Sequence, residues 1–96
     1  MYIMNERSGA IINSNYVAEF FLTKTSDSTL LSLRWNGIEK LSTLERYKNY
    51  DEAMDALCSL MRALEAKQLA FYVPASLYYF EESVKKDARV KRKGGS

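Results

Sequence analysis

The amino-acid sequence predicts an α+β domain in which an antiparallel β-meander sheet of about four to five strands is packed by one amphipathic helix, with a basic helix at the C-terminal end. Three observations predict this fold: the period-two alternation of Thr29–Trp35, the Asn36-Gly37 dipeptide directly after it, and the change to helical periodicity after Asn49. The 96 residues, 47% of them hydrophobic, suffice for one domain. We expect a single domain over residues 1–90 and a basic disordered tail over residues 91–96.

The first half of the chain is typical of short strands separated by polar turns. Within Thr29–Trp35, one face carries Leu31, Leu33 and Trp35 and the other carries Leu30, Ser32 and Arg34, as in a half-buried strand. Asn36-Gly37 favours a type I′ hairpin, so the next strand is predicted to begin at Ile38. The predicted strands are Tyr2–Met4, Ala10–Ile12, Tyr16–Thr23, Thr29–Trp35 and Ile38–Leu44.

The second half begins with a predicted helix. Asn49 and Glu52 have the spacing of a capping box, in which each side chain accepts a hydrogen bond from the other residue's amide. We expect the helix to end near Ala66 or Lys67. Its predicted buried stripe contains Met54, Leu57, Leu60, Met61 and Leu64, with Ala53 and Cys58 beside it, while Asp55, Arg62 and Glu65 face water.

A last strand and a second helix are predicted after it. Leu69–Val73 has strand composition, and Pro74 should end it. From Ala75 to about Arg89, apolar residues recur three and four apart, which predicts a helix with basic last turns.

Composition argues against several chemistries. The chain contains no histidine, so the usual general base and the commonest zinc ligand are missing. Its one cysteine, Cys58, excludes an intramolecular disulfide and fits a reducing compartment. Asp51, Glu52 and Asp55 could bind a cation, but acids are also common at helix N-termini. We therefore expect a cytoplasmic, non-enzymatic protein with no metal, no cofactor and no membrane-spanning segment.

Two sequence features could carry binding. The net charge is only +2, but the segment from Lys85 to Lys93 holds six basic residues against one acidic residue. It could follow a phosphate backbone, dock on an acidic protein, or only keep the chain soluble. The second feature is a surplus of aromatic residues around Pro74, since tyrosine is common at interfaces. The predicted partner-binding residues are Tyr72, Tyr78, Tyr79, Lys85, Lys86, Arg89, Lys91, Arg92 and Lys93.

From about Ile11 to Pro74 the chain resembles small uncharacterised proteins of phages and prophages of Gram-positive bacteria. The resemblance rests on Ile11-Ile12-Asn13, on Tyr50-Asp51-Glu52-Ala53 and on the segment from Leu69 to Pro74. The second helix and the basic tail depart from that pattern. The resemblance implies a mobile-element origin, where small stoichiometric binders of host proteins are common. Inhibitors of CRISPR or of other defence systems are one class of such binders.

These observations leave three hypotheses. The first is a non-enzymatic inhibitor that occludes a surface of a host protein or nucleoprotein complex. The second is a nucleic-acid-binding accessory or regulatory protein that uses the basic C-terminal helix, and its binding should weaken steeply with salt. The third is a structural phage component that forms a defined homo-oligomer. A homodimer is also conceivable through an unpaired sheet edge at Tyr2–Met4 or Leu69–Val73.

Overall fold

A computed structural model describes residues 1–79. Residues 80–96 lie outside it, and with them most of the predicted second helix, the tail and the basic segment from Lys85 to Lys93. Of the predicted helix, the structure describes Ala75 to Tyr79, and among these Leu77 to Tyr79 have helical backbone. Its elements are β1 (Tyr2–Asn5), β2 (Ala10–Asn13), a 3₁₀ turn (Ser14–Tyr16), β3 (Val17–Lys24), β4 (Thr29–Trp35), β5 (Leu41–Tyr47), α1 (Tyr50–Glu65) and β6 (Ala70–Tyr72).

The strands form two three-stranded sheets, and the prediction of one sheet was wrong in this respect. β3, β4 and β5 make the expected antiparallel meander. The other sheet has the order β2-β1-β6, with β1 antiparallel to β2 but parallel to β6. A parallel pair of strands needs a long crossover connection, and here the chain from β2 to the end of α1 forms it. β1 is therefore central, so Tyr2–Met4 is not a sheet edge, whereas β6 is one.

The connection between β4 and β5 also differs from the prediction. Gly37 has a φ of 75°, but Asn36 does not adopt a positive φ, so the turn is not type I′. The Asn36 amide instead donates to the Tyr16 carbonyl at 2.8 Å, which ties the turn to the chain before β3. The turn is consequently longer, and the return strand begins at Leu41 and not at Ile38.

The capping of α1 is confirmed, with one change of partner. The Asn49 side chain accepts from the Glu52 amide at 2.9 Å, and the Glu52 carboxylate accepts from the Lys48 amide at 2.8 Å. The helix ends at Glu65, as expected. Lys67 follows in the left-handed conformation, with a φ of 54°. α1 lies against β3, β4 and β5, so it covers one face of that sheet.

The buried stripe of α1 is rotated from its predicted position. Its buried residues are three alanines and one leucine: Ala53, Ala56, Leu60 and Ala63. Met61 and Leu64, which we predicted to be buried, are exposed. The short alanine side chains allow a close approach of the helix to the sheet, and Met61 and Leu64 lie on the flank of the helix beside β3.

The core lies between α1 and the inner faces of both sheets. Leu31 and Leu33 of β4 are fully buried there, as the alternation predicted, together with Ile3 of β1 and Tyr47 of β5. In the described part of the chain, no helix is long and apolar enough to cross a membrane.

Candidate functional site

A buried carboxylate joins the two sheets. Glu45 of β5 has a side chain only 3% exposed, and it accepts hydrogen bonds from Arg7 in the β1–β2 turn, the closest at 3.0 Å. It also accepts from the Asn5 side-chain amide at 3.2 Å and from the Arg46 backbone amide at 2.9 Å. These donors compensate the cost of removing the charge from water. The hydrogen bond with Glu45 raises the pKa of Arg7.

Asn5 holds the turn that presents Arg7. Its side-chain oxygen accepts from the amides of Arg7 at 3.0 Å and Ser8 at 3.2 Å, which is the geometry of an Asx turn. Its side-chain nitrogen donates to the Leu44 carbonyl at 2.7 Å. The last residue of β1 therefore shapes the turn and fastens it to β5.

Two arginines contact two adjacent tyrosines beside this carboxylate, and we call Arg7, Arg46, Tyr78 and Tyr79 the arginine–tyrosine cluster. The Arg7 guanidinium carbon lies 3.7 Å from the centroid of the Tyr79 ring. Arg46 donates to the Tyr78 hydroxyl at 3.4 Å and lies 5.4 Å from its centroid. The two rings meet edge to face, with centroids 5.1 Å apart. Such cation–π and aromatic contacts each contribute about 0.5–1.5 kcal/mol.

The chain before Tyr78 is fixed to β5 and α1 by polar contacts. The Tyr47 hydroxyl donates to the Pro74 carbonyl at 2.8 Å, and the Ser76 hydroxyl donates to the Arg46 carbonyl. The Leu77 amide donates to the Glu52 carboxylate at 2.7 Å. Burial, with smaller effects from Glu45 and Glu52, raises the pKa of the Tyr47 phenol.

A cleft of about 400 Å³ lies next to the cluster. Within residues 1–79, every buried side-chain nitrogen and oxygen has a hydrogen-bond partner. The same residues contain no group of three acidic or cysteine side chains that could hold a metal ion. The buried polar side chains at the cleft, those of Asn5, Glu45 and Ser76, therefore all form hydrogen bonds within the chain. The lining residues are Asn5, Glu6, Arg7, Glu45, Val73, Ala75, Ser76 and Tyr79.

The sheet β2-β1-β6 presents a second feature on the side away from the core. Ile3 points inward, so its neighbours Tyr2 and Met4 point outward. The strand register places Ile11 and Tyr72 on either side of Met4 in one cross-strand row. We call Tyr2, Met4, Ile11 and Tyr72 the outer face. All four are uncharged, and Tyr72 is 61% exposed.

The predicted site residues thus fall into three groups. Tyr78 and Tyr79 come together in the cluster, half-buried. Tyr72 lies on the outer face. Lys85, Lys86, Arg89, Lys91, Arg92 and Lys93 lie outside the described residues.

Sequence reasoning did not identify the partners of these tyrosines. Arg7, Arg46 and Glu45 are far from Pro74 in the chain, so no local pattern links them to Tyr78 and Tyr79. The outer face did leave a signal. Tyr2 and Met4 alternate with Ile3, and both sides of that alternation are apolar.

Comparisons with known protein families, with curated proteins and with solved structures found no match to the chain. The resemblance to phage proteins accordingly stays a prediction.

Proposed function

We propose that the protein is a non-enzymatic binding protein that contacts a folded protein partner through its outer face. The observation that carries this proposal is the row Ile11–Met4–Tyr72, which exposes apolar and aromatic side chains on the solvent side of a sheet. Sheets with one solvated face normally place polar residues there. Contiguous exposed apolar patches mark interaction sites, and tyrosine is enriched among the residues that dominate binding energy.

The chemistry of the outer face favours a protein over a nucleic acid. None of Tyr2, Met4, Ile11 and Tyr72 carries a charge, whereas nucleic-acid binding draws most of its affinity from Lys and Arg at phosphates. The narrower proposal, motivated by the resemblance, is stoichiometric inhibition of a bacterial host defence complex by occlusion of its surface. Nucleic-acid binding through Lys85 to Lys93 is the alternative, and it becomes an outcome of the test.

The proposed contact set keeps Tyr72 and gives Tyr78 and Tyr79 another role. Both rings hold guanidinium groups of the same chain, so we assign them to anchoring the segment after Pro74. Tyr72 has no such contact with a guanidinium group among the described residues, and its side chain is exposed there.

The test is affinity capture from a Gram-positive bacterial cytosol with the full chain, with and without nuclease, followed by affinity measurement with the purified captured protein. Ile11→Glu places a charge on the outer face, next to Met4, and should weaken binding at least about 30-fold, the effect of losing one dominant contact. Leu41→Glu is the matched control, because Leu41 is equally exposed but lies on β5 in the other sheet.

A truncation after Val84 separates the alternatives. A protein partner that survives nuclease, is retained by the truncated chain and is lost only with Ile11→Glu supports the proposal. Capture of nucleic acid alone, lost on truncation, contradicts it and supports the second hypothesis. Equal binding by Ile11→Glu and Leu41→Glu would show that the outer face is not the contact.

A further inference from the structure

The β3 strand is a long sheet edge with free backbone groups. It has eight residues, more than any other strand in the described chain, and it pairs only with β4. The Thr25 amide donates to the Ser28 carbonyl at 2.9 Å, which fixes the phase of the antiparallel ladder. Since bonded pairs alternate, Thr23 and Phe21 bond to β4, while Phe20 and Leu22 direct their amides and carbonyls outward.

The other sheet edges are short or covered. β2 has four residues and β6 has three. On the free side of β5, the Leu44 and Arg46 carbonyls already accept from the side chains of Asn5 and Ser76. Natural proteins usually protect an edge by such coverage, by proline or by charge, and within the part of the chain that the structure describes the central residues of β3 have none of these.

An apolar groove runs beside this edge, and we call it the β3 groove. It has a volume of about 300 Å³ and lies between β3 and the flank of α1, where the rotated helix leaves its long side chains. Met61, 59% exposed, forms part of its wall. An occupant must therefore supply extended backbone along β3 and apolar side chains on the α1 side. The lining residues are Phe20, Leu57, Leu60, Met61 and Leu64.

We propose that the occupant is a second copy of this chain, whose β3 pairs antiparallel with the first about a two-fold axis. β3 itself meets both requirements, because Phe20 and Leu22 have outward backbone groups and side chains that pack toward the core under α1. Centring the axis at Phe21 places Phe20 of one copy opposite Leu22 of the other. The result is a continuous six-stranded sheet with a closed, isologous interface.

The charges of β3 are compatible with this arrangement. Its two charged residues have opposite sign and lie toward opposite ends, Glu19 near the start and Lys24 at the end. Antiparallel pairing brings the Glu19 end of one copy to the Lys24 end of the other, whereas parallel pairing would set like charges together. The two side chains lie on opposite faces of the strand and contact Arg34 and Tyr50 of their own chain, so the charges favour the antiparallel orientation without forming an ion pair between the copies. The same symmetry places the two α1 helices on one face of the joined sheet, with Met61 and Leu64 of each facing the axis.

The experiment is sedimentation of the full chain over a wide range of concentration, combined with residue-specific amide hydrogen exchange. We expect a monomer–dimer equilibrium, and exchange at the Phe20 and Leu22 amides should slow at least about tenfold in the dimer. The Phe21 and Thr23 amides, already bonded to β4, should exchange slowly in both states. Met61→Glu should raise the dissociation constant at least about tenfold, because it places a charge in the apolar interface.

Leu41→Glu again serves as the control, since Leu41 is 62% exposed and lies on β5, with β4 between it and β3. It should dimerise as the unmodified chain does. A monomer at every concentration would overturn the proposal. So would a dimer in which the Phe20 and Leu22 amides exchange as fast as in the monomer, or one that Met61→Glu leaves unchanged.

Discussion

The strength of the Arg7–Glu45 contact can be worked out by comparison with a second arginine–glutamate pair in the same protein. Arg34 donates to Glu19 at 2.9 Å, close to the 3.0 Å between Arg7 and Glu45. The side chains of Arg34 and Glu19 are 46% and 52% exposed, whereas Glu45 is only 3% exposed. The two pairs join the same residue types at nearly the same shortest distance. They differ in the burial of the acid and in the hydrogen bonds, because Arg7 donates from Nε and Nη2 and Arg34 donates from Nε alone.

This difference sets the expected coupling energies. Exposed ion pairs contribute about 0.2–1 kcal/mol, and hydrogen bonds to charged groups inside proteins contribute about 1.5–3 kcal/mol. The Arg7 side chain is 45% exposed, so water partly replaces Glu45 when the carboxylate is removed, and the second figure must be lowered. We expect a coupling energy of about 1–2 kcal/mol for Arg7–Glu45 and of about 0.5 kcal/mol or less for Arg34–Glu19.

The assay is a pair of double-mutant cycles, with Arg→Ala and Glu→Gln at each site, measured by urea unfolding with Trp35 fluorescence. Glu45→Gln alone should lower the free energy of unfolding by about 2–3 kcal/mol, because every hydrogen-bond partner of the Glu45 carboxylate is a donor and one of them would face the amide nitrogen of the glutamine. A coupling energy for Arg7–Glu45 below about 0.5 kcal/mol, the range of independent sites, would refute this reasoning.

Three further predictions concern the helix and the pH dependence of stability. Lys67 occupies the left-handed position of a Schellman motif, in which the Gln68 amide donates to the Ala63 carbonyl and the Lys67 amide to the Leu64 carbonyl. Glycine adopts this conformation without strain, so Lys67→Gly should raise the free energy of unfolding by about 0.5–1 kcal/mol, and a decrease would contradict this. Ala56→Leu should lower the free energy of unfolding by about 1–3 kcal/mol, because the larger side chain forces α1 away from the sheet. Leu64→Ala changes an exposed site and should lower it by less than about 1 kcal/mol. If urea unfolding gave the larger loss for Leu64→Ala, the helix would bury the stripe that the sequence predicted. The pKa of Tyr47 in the folded protein is raised above the ordinary value of about 10, so its contribution to stability is complete below that pH and is lost as the pH rises through the folded pKa. The free energy of unfolding, relative to that of Tyr47→Phe, should therefore fall above pH 10 by up to about 1.4 kcal/mol per pH unit. If the two proteins lost stability equally above pH 10, the raised pKa of Tyr47 would not contribute.

The features that the sequence predicted correctly depend on short-range chemistry. The alternation in Thr29–Trp35 matches β4, and the Asn49–Glu52 spacing marks the start of α1. Pro74 follows shortly after β6, as expected for a residue that cannot continue a ladder. Each of these signals is complete within a few residues, so it does not depend on the rest of the fold.

The wrong predictions depend on contacts between distant parts of the chain. Asn36-Gly37 has the composition of a tight turn, but hydrogen bonds to the chain before β3 select another one. The parallel pairing of β6 with β1 depends on where the end of α1 places the following residues, and this position follows from the packing of α1 on the sheet. Likewise, the partners of Tyr78 and Tyr79 lie on the β1–β2 turn and on β5. Sequence periodicity carries no information about any of these distances.

The orientation of α1 was also predicted wrongly, and it determines the groove at which we propose that two copies pair. A stripe of bulky residues and a stripe of alanines both have helical period here, and hydrophobicity alone favours burying the bulky stripe. The alanines face the sheet because they allow closer packing, and in this orientation Met61 and Leu64 lie on the flank of the helix beside β3. The β3 groove is therefore a consequence of how tightly the helix packs. A larger residue at Ala56 would move α1 away from the sheet. Such a variant should therefore be less stable and should also dimerise more weakly.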